Sequence, residues 1–460
     1  MDAINHGLDI EMPNALYLSP QNIVQGLRNK SLSMARIDDS CRRILRSYFS
    51  VPKAMRVPGP CGGGDCIDDM AKGPAHVALA RKLSAMSTVL LKNEGGLLPL
   101  DKAKKQKILL VGPDALVPYT GGSGSGAVSN ASAVSPMTAF KSLGVEVSFH
   151  DGGSPTSAAK AAKAADVAIV FGSAATGEGH DRINLKLDGN IDDVIPAVGE
   201  AQSNTIVILS TPGSILTDWR AGVPALLWNG LGGEQVGPAL ADVLFGVTPP
   251  QAKLPITMPK VENEQGFSVS QYPGVDCYDG ELPFPGVDGK GADSMKSKKH
   301  MGKMNGKCAC TNPSCFTEAT YTEGQIVGYR WYDKKKVSPA FAFGHGLTYG
   351  THKLSAFKVT GREVSFTLTR TAGTGCETPQ VYIGYPAAAT DPKVPAKVMR
   401  FFKKVCQPTA KLSYTVTDRD VSNWDVAAKR WKVTPGTYTV HVGASSQDIR
   451  LSGTMAVRGE

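Results

Sequence analysis

Asp166-Val-Ala-Ile-Val-Phe-Gly-Ser-Ala-Ala-Thr-Gly-Glu-Gly-His-Asp-Arg182 joins an apolar run to a loop in which one glutamate stands between two glycines. The run up to Ser173 is typical of a buried strand. In an α/β sheet, the loops that leave the carboxyl ends of strands usually hold the ligand chemistry. A glutamate between glycines projects into a cleft with little steric hindrance. The stretch therefore predicts an α/β fold with Glu178 as a candidate catalytic acid.

The pattern continues on both sides of this stretch. A helix is predicted from about Ala75 to Leu91. Further strands are predicted at Lys107–Val111, Val145–Phe149, Val167–Phe171, Thr205–Leu209 and Ala225–Trp228, with helices near 135–143, 156–165, 190–202 and 234–245. Short apolar strands that alternate with helices indicate a mostly parallel sheet covered on both faces. We therefore predict an α/β sandwich domain over residues 74–262.

Residues 1–50 read as the end of another α/β domain. Leu8–Met12 resembles a short strand, and a helix is predicted up to Arg28 with Ser19 as its N-cap and Pro20 at its first position. A second helix is predicted over Met34–Arg46, with Ser33 as its N-cap. This segment is too small to bury a core alone. Residues 51–73, rich in Pro, Gly and Asp, are interpreted as a linker.

The pattern changes again after residue 262. Residues 263–346 form a second predicted linker, with a basic, cysteine-containing insert at 285–315. From residue 347 to 460, short alternating runs bounded by turn residues follow one another with hardly a helix between them. They lie at Val364–Leu368, Gln380–Gly384, Lys411–Val416, Thr437–Val442 and Leu451–Val457. Such a series indicates a β-sandwich of the immunoglobulin or fibronectin III type.

The formal net charge of +9 comes largely from the insert, because Lys290–Lys307 contains six lysines and one aspartate. A nucleic-acid interface needs a basic face spread over a folded domain. These lysines lie instead in a Gly/Met/Ser stretch typical of a solvated loop, so we predict no nucleic-acid partner. No apolar run approaches the ~20 residues that span a bilayer, and no membrane partner is predicted.

Nine cysteines favour disulfides over a metal site. Cys61 and Cys66 can close a tight loop, whereas Cys308, Cys310 and Cys315 can pair among themselves or with Cys277. The spacing of the last three suits zinc poorly, and no metal is predicted. Disulfides and the sequons at Asn29 and Asn130 indicate an oxidising, extracellular or secretory compartment. Residues 1–20 lack the pattern of a signal peptide, from which we expect that the front end of the protein is missing.

Other candidate sites have simpler explanations. Gly121–Gly126 lacks the Gly-Lys-Ser/Thr ending of a phosphate-binding loop, so we interpret it as a flexible loop at the edge of a cleft. It matches the letters of a serine-hydrolase elbow only within a low-complexity run. His345, between two glycines, is a catalytic candidate or a residue that ties two backbone segments together. Glu178 itself is either a solvated loop acid or a general acid–base group, tuned by the charges of Asp181 and Arg182.

Several stretches together resemble glycoside hydrolase family 3 β-glucosidases, over the C-terminal two-thirds of that family and in the family's order. They are Ala3–Pro13, Ala35–Leu45, Val89–Leu100, Gly177–Arg182, Ala239–Gly246, Lys253–Pro259, Glu323–Asp333, Phe341–Tyr349, Ser422–Asp425 and Val442–Arg450. The resemblance implies a (β/α)-barrel, of which residues 1–50 are the remnant, then an α/β sandwich and a fibronectin III-like domain.

The resemblance also implies the chemistry. Glu178 matches the general acid/base that protonates the leaving glycosidic oxygen, and Asp181 and Arg182 match residues that support its loop. The implied substrate is a β-linked oligosaccharide or glucoside, and no cofactor is implied. The form Glu323–Asp333 looks more like that of β-glucosidases than that of β-xylosidases, which remain the alternative within the family.

One departure from the family pattern is large. A retaining glycosidase needs a second carboxylate about 5–5.5 Å from the first, and the family's nucleophile is an aspartate in a Ser-Asp-Trp motif. This motif does not occur here, and Thr217-Asp-Trp219 is better explained as local packing. We therefore expect either an incomplete copy of a secreted β-glucosidase, in need of a missing barrel segment, or a non-catalytic carbohydrate-binding or interaction protein.

Overall fold

The computed structural model describes residues 2–52 (without 13 and 16), 72–128, 132–178, 182–267, 321–386, 389 and 393–458. The chain divides into two compact units, Met1–Gly73 and Pro74–Glu460. Several predictions lie outside the described residues: Asp181, the sequon asparagine Asn130, the basic insert at 285–315 and the cysteines at 61, 66, 277, 308, 310 and 315.

Within its described residues, the first unit contains three helices: α1 (Asp2–Asn5), α2 (Pro20–Arg28) and α3 (Met34–Ser50). Both predicted N-caps are confirmed, because the side chain of Ser19 accepts from Asn22 N and that of Ser33 accepts from Arg36 N. The strand predicted at Leu8–Met12 is wrong. In the described part of the chain no strand pairs with this run, and Leu8 N donates instead to Ala3 O.

The second unit begins with α4 (Pro74–Ser87) and a six-stranded sheet in the order β1-β6-β5-β4-β2-β3. The strands are β1 (Val89–Asn93), β2 (Ile108–Val111), β3 (Val147–His150), β4 (Val167–Ser173), β5 (Thr205–Ser210) and β6 (Ala225–Trp228). All pair in parallel except β1, which is antiparallel to β6. The predicted mostly parallel sheet is confirmed.

Strand β1 corrects one prediction, because residues 89–91 were assigned to the end of the preceding helix. Leu90 pairs with Leu227 of β6 and also bridges to Leu347. A short apolar run fits a buried helix or a buried strand equally well, and periodicity does not separate the two. The available partner, the free edge of β6, decides the conformation.

Helices cover both faces of the sheet. They are α5 (Pro136–Ser142), α6 (Pro155–Ala162), α7 (Ile191–Ala201) and α8 (Val236–Leu244). The side chains of β2 alternate between two cores, since Ile108 and Leu110 lie in one and Leu109 and Val111 in the other. This division shows that the sheet is the middle layer of a three-layer sandwich.

The strand order creates a topological switch point between β2 and β4. From β2 the chain crosses to β3 on one side, and then returns to β4 on the other side of β2. The loops that leave β2 and β4 therefore diverge at their carboxyl ends and open a crevice, which is where open α/β sheets bind ligands.

The C-terminal part is a β-sandwich, as predicted. One sheet has the order β10-β9-β14-β15, the other β11-β8-β7, and β12 and β13 form a separate pair. The strands are β7 (Gly350–Thr360), β8 (Glu363–Gly373), β9 (Gln380–Gly384), β10 (Lys397–Phe402), β11 (Thr409–Thr415), β12 (Ser422–Asp425), β13 (Arg430–Val433), β14 (Gly436–Gly443) and β15 (Ile449–Val457). Strands β7, β10, β12 and β13 were not predicted.

A disulfide that was not predicted, Cys376–Cys406, joins the segments on either side of β9 and β10. In the chain, the described segment between the α/β sandwich and the β-sandwich contains α9 (Tyr329–Lys335). Among the helices of the described part of the chain, none combines the length and the apolar composition that crossing a membrane requires.

Candidate active site

The loop that carries Glu178 is paired, backbone to backbone, with the glycine-rich loop after β2. Ser123 N donates to Thr176 O at 3.1 Å, and Glu178 N donates to Ser123 O at 3.3 Å. Ser123 and Gly177 form a parallel bridge. The glycine-rich loop was interpreted as a flexible loop at the edge of a cleft. In the structure, one parallel bridge pairs it with the acid loop (residues 174–178) at the switch point.

Gly124 makes this approach possible. Its φ of +92° lies in the region that side chains disfavour, and a Cβ built on it stands 2.4 Å from the Cβ of Glu178. Any larger residue at this position therefore causes both backbone strain and a steric clash with Glu178. The glycine is required by contact with Glu178.

The carboxylate of Glu178 is exposed at the end of this loop. Ser125 N donates to its Oε2 at 2.6 Å. Hydrogen bonds from the Ser125 side chain and backbone hold the pKa of Glu178 below its usual value. In this conformation Glu178 is therefore ionised at neutral pH and matches the base form of an acid–base group.

Hydrogen bonds also fix the residues of the acid loop that precede Glu178. Ala175 N donates to Asp188 Oδ2 at 2.6 Å, and Thr176 N donates to the hydroxyl of Tyr119 at 2.8 Å. Ala174 is fully buried. With the bond of Glu178 N to Ser123, three of the amides in this loop have fixed partners, so the direction in which Glu178 leaves the sheet is fixed.

Sequence reasoning missed Tyr119, Asp188 and a buried acid, Asp114, that lies close to the loop. Asp114 lies three residues after the last residue of β2, and a polar residue close to a strand end of an α/β sheet was the signal that could have found it. The other two lie in loops, and nothing in the local sequence shows that they meet the acid loop.

Arg182 is directed to a different part of the site. Its Nη2 donates to Ser214 O at 2.9 Å, in the loop after β5, and its Nη1 is buried without a hydrogen-bond partner among the described residues. The structure therefore places Arg182 beside the loop after β5, with no hydrogen bond to Glu178 in the described part of the chain. Asp181, its neighbour, lies outside the described residues.

His345 is a structural histidine. Its Nε2 is 2.8 Å from Leu91 O at the edge of the sheet, and its ring stacks on Phe341. Burial lowers the pKa of His345, so the ring is neutral at neutral pH. It ties β1 to the segment that enters the β-sandwich, the second of the two interpretations made from the sequence.

Thr217-Asp-Trp219 likewise has a packing role. The indole of Trp219 packs against one of the two cores of the sheet and donates to Asp192 at 2.8 Å. Asp192 also accepts from Leu187 N at 2.9 Å. These contacts brace the loop that carries Asp188.

Comparison with known proteins agrees with this architecture. Residues 88–349 match the family described as the glycosyl hydrolase family 3 C-terminal domain, and residues 377–446 match a fibronectin type III-like domain. The chain is 30% identical to a protein of Aspergillus terreus named probable beta-glucosidase L, covering 98% of this chain and 64% of that protein.

Solved structures give the same result. The crystal structure of the Bifidobacterium adolescentis GH3 beta-glucosidase matches with a TM-score of 0.81 and 26% identity, over 100% of this chain and 63% of that one. Beta-glucosidase 3B from Thermotoga neapolitana, in complex with alpha-D-glucose, matches with a TM-score of 0.78 and 27% identity, over 99% and 64%.

The fold and these matches define a protein that combines the C-terminal α/β domain of this family with a fibronectin III-like domain. The chain belongs to glycosyl hydrolase family 3. It spans less than two thirds of the length of the three relatives named above.

Proposed function

We propose that this chain supplies the acid–base half of a retaining β-glucosidase, with Glu178 as the general acid/base. The observation that carries the proposal is the position of Glu178 at the switch point of the sheet, on a loop whose backbone is held by the glycine-rich loop. The substrate proposed is a β-glucoside, because the relatives compared above are named beta-glucosidases.

In the first step, Glu178 donates its proton to the glycosidic oxygen as the bond to the sugar breaks. In the second step, the carboxylate takes a proton from the water that releases the sugar. The first step needs a protonated Glu178, whereas its hydrogen bonds to Ser125 favour the ionised form. Burial of the carboxyl group beneath the substrate, with loss of the Ser125 contacts, raises its pKa and supplies the acid form.

The nucleophile of the proposed mechanism comes from a barrel segment beyond these 460 residues, since the sequence contains no Ser-Asp-Trp. In this scheme residues 1–50 belong to the barrel, and Asp181 and Arg182 support the acid loop. We also propose that the protein is extracellular or secretory. The disulfide Cys376–Cys406 supports this location.

The test is complementation. The chain is mixed with the separately produced part of the Bifidobacterium adolescentis enzyme that lies outside the match, and hydrolysis of 4-nitrophenyl β-D-glucoside and β-D-xyloside is measured. We expect activity on the glucoside in the mixture, none in the chain alone, and a loss of roughly 10²–10⁴-fold in Glu178→Gln. Glu200→Gln, which changes an exposed glutamate of α7, is the matched control and keeps full activity.

Glu178-dependent turnover by the chain alone contradicts an external nucleophile. Equal activity of Glu178→Gln and Glu200→Gln in the mixture contradicts the role of Glu178. Glucoside binding without turnover in any mixture favours a non-catalytic carbohydrate-binding protein, and preference for the xyloside favours a β-xylosidase.

A further inference from the structure

A second acidic residue, Asp114, is buried close to the acid loop and takes no part in the chemistry proposed above. Asp114, in the turn Pro113–Ala115 after β2, is 7% exposed. Its Oδ2 is buried without a hydrogen-bond partner among the described residues, and the hydroxyl of Ser173, at the end of β4, hydrogen bonds with the group. A buried carboxyl group with so few partners favours its protonated form.

The charged neighbour of Asp114 is a second carboxylate, Asp188. Burial raises the pKa of Asp114 to about 6, and the charge of Asp188 adds to this rise while Ser173 opposes it. Helix α5 packs against the turn with apolar side chains, and its Lys141 is exposed to solvent. His150, at the end of β3, faces Ser157 and Gly152 N.

Asp188 connects Asp114 to the acid loop. Its Oδ2 accepts the N–H of Ala175, three residues before Glu178, and its own N–H donates to Ser173 O at 2.9 Å. A charged carboxylate makes the stronger acceptor for Ala175. If Asp114 also ionises, its buried charge lies near the charge of the exposed Asp188 carboxylate, and the two like charges repel each other.

We propose that Asp114 is a positioning residue for the acid loop: its protonated form lets the Asp188 carboxylate hold the N–H of Ala175, and its ionisation loosens that anchor. Glu178 then loses one of the contacts that fix its direction. The functional meaning of this device rests on the proposed role of Glu178. The anchoring itself is a property of the loop and is measured without substrate.

The test is amide hydrogen exchange of the full chain between pH 5 and pH 8, read at residues 174–178 and corrected for intrinsic exchange. We expect protection of these amides to fall by about threefold to tenfold across this range, the effect of weakening one hydrogen bond. Residues 206–210, buried in β5, serve as the internal reference, because their protection reports global unfolding whereas that of residues 174–178 reports local opening of the loop.

Asp114→Asn keeps the shape of the side chain and cannot ionise, so its acid loop stays protected at pH 8. Asp193→Asn, at an exposed position of α7, is the matched control and behaves like the wild type. If Asp114→Asn does not fold, Asp188→Asn is measured in its place. This variant lacks the charge of Asp188 that would repel an ionised Asp114, so the fall in protection of residues 174–178 with pH is expected to disappear.

Constant protection in the wild type, or the same fall in the wild type and in Asp114→Asn, overturns the inference. The outcomes also separate it from the proposed function. An inactive complemented enzyme with the fall intact refutes only the role of Glu178, whereas an active enzyme with constant protection refutes only the role of Asp114.

Discussion

The substitution Asp114→Asn has a consequence for stability that follows from burial. The pKa of Asp114 rises from 3.8 to about 6 on folding. The folded protein therefore binds this proton more tightly than the unfolded chain does. The stability that this proton contributes is fully present below about pH 4 and is lost as the pH rises through about 6. A rise of roughly two pKa units corresponds to about 3 kcal/mol.

Asparagine does not titrate, so the variant keeps its stability where the wild type loses it. We expect equal free energies of unfolding near pH 4. Near pH 7.5 we expect Asp114→Asn to be more stable than the wild type by about 3 kcal/mol. Urea unfolding followed by tryptophan fluorescence measures this difference, because Trp219 and Trp228 pack against the sheet. Asp193→Asn, again the control, is expected to follow the wild type at every pH.

A constant difference between Asp114→Asn and the wild type from pH 4 to pH 7.5 refutes this reasoning, because it means that Asp114 titrates alike in the folded and unfolded chain. A variant less stable than the wild type at neutral pH refutes it as well. That result shows that the ionised group has partners that asparagine cannot replace.

Two further predictions concern the loops and the β-sandwich. Gly124→Ala places a Cβ 2.4 Å from that of Glu178 at a φ of +92°, so we expect faster amide exchange at residues 174–178 and a lower complemented activity. Gly126→Ala, where the added Cβ meets nothing within 4 Å, is the control. If Gly124→Ala and Gly126→Ala change exchange and activity equally, the contact between Gly124 and Glu178 is not what holds the acid loop. Reducing Cys376–Cys406, which closes a loop with a sequence separation of 30, is expected to destabilise the β-sandwich by about 3–4 kcal/mol. Urea unfolding of Cys376→Ser/Cys406→Ser, compared with the exposed cysteine variant Cys41→Ser, measures the loss, and equal midpoints contradict it.

Most of the sheet was predictable from the sequence because most of its strands are buried on both faces. β4, for example, is apolar along nearly its whole length and is bounded by polar or turn residues. The N-caps Ser19 and Ser33 were predictable for a similar reason, since a cap depends on neighbours a few residues away. The errors at Leu8–Met12 and at β1 concern runs whose conformation depends on a distant partner strand.

The candidate site was predictable only in part. The position of Glu178 at a strand end followed from the sequence. Its partners did not: Ser125 and Glu178 are 53 residues apart, and only the strand order brings their loops together. Asp114 illustrates the same limit, because the sequence shows an acid in a Pro-Asp turn, whereas its burial and the nearby charge of Asp188 arise from tertiary packing.

The pairing of the glycine-rich loop with the acid loop also separates two properties that an enzyme engineer wishes to adjust independently. The place of Glu178 depends on the backbone of Ser123 and on the missing side chain of Gly124. Its acidity depends in part on the side chain of Ser125. For the activity proposed above, substitutions at residue 125 are therefore expected to shift the pH optimum while the geometry of Glu178 stays in place.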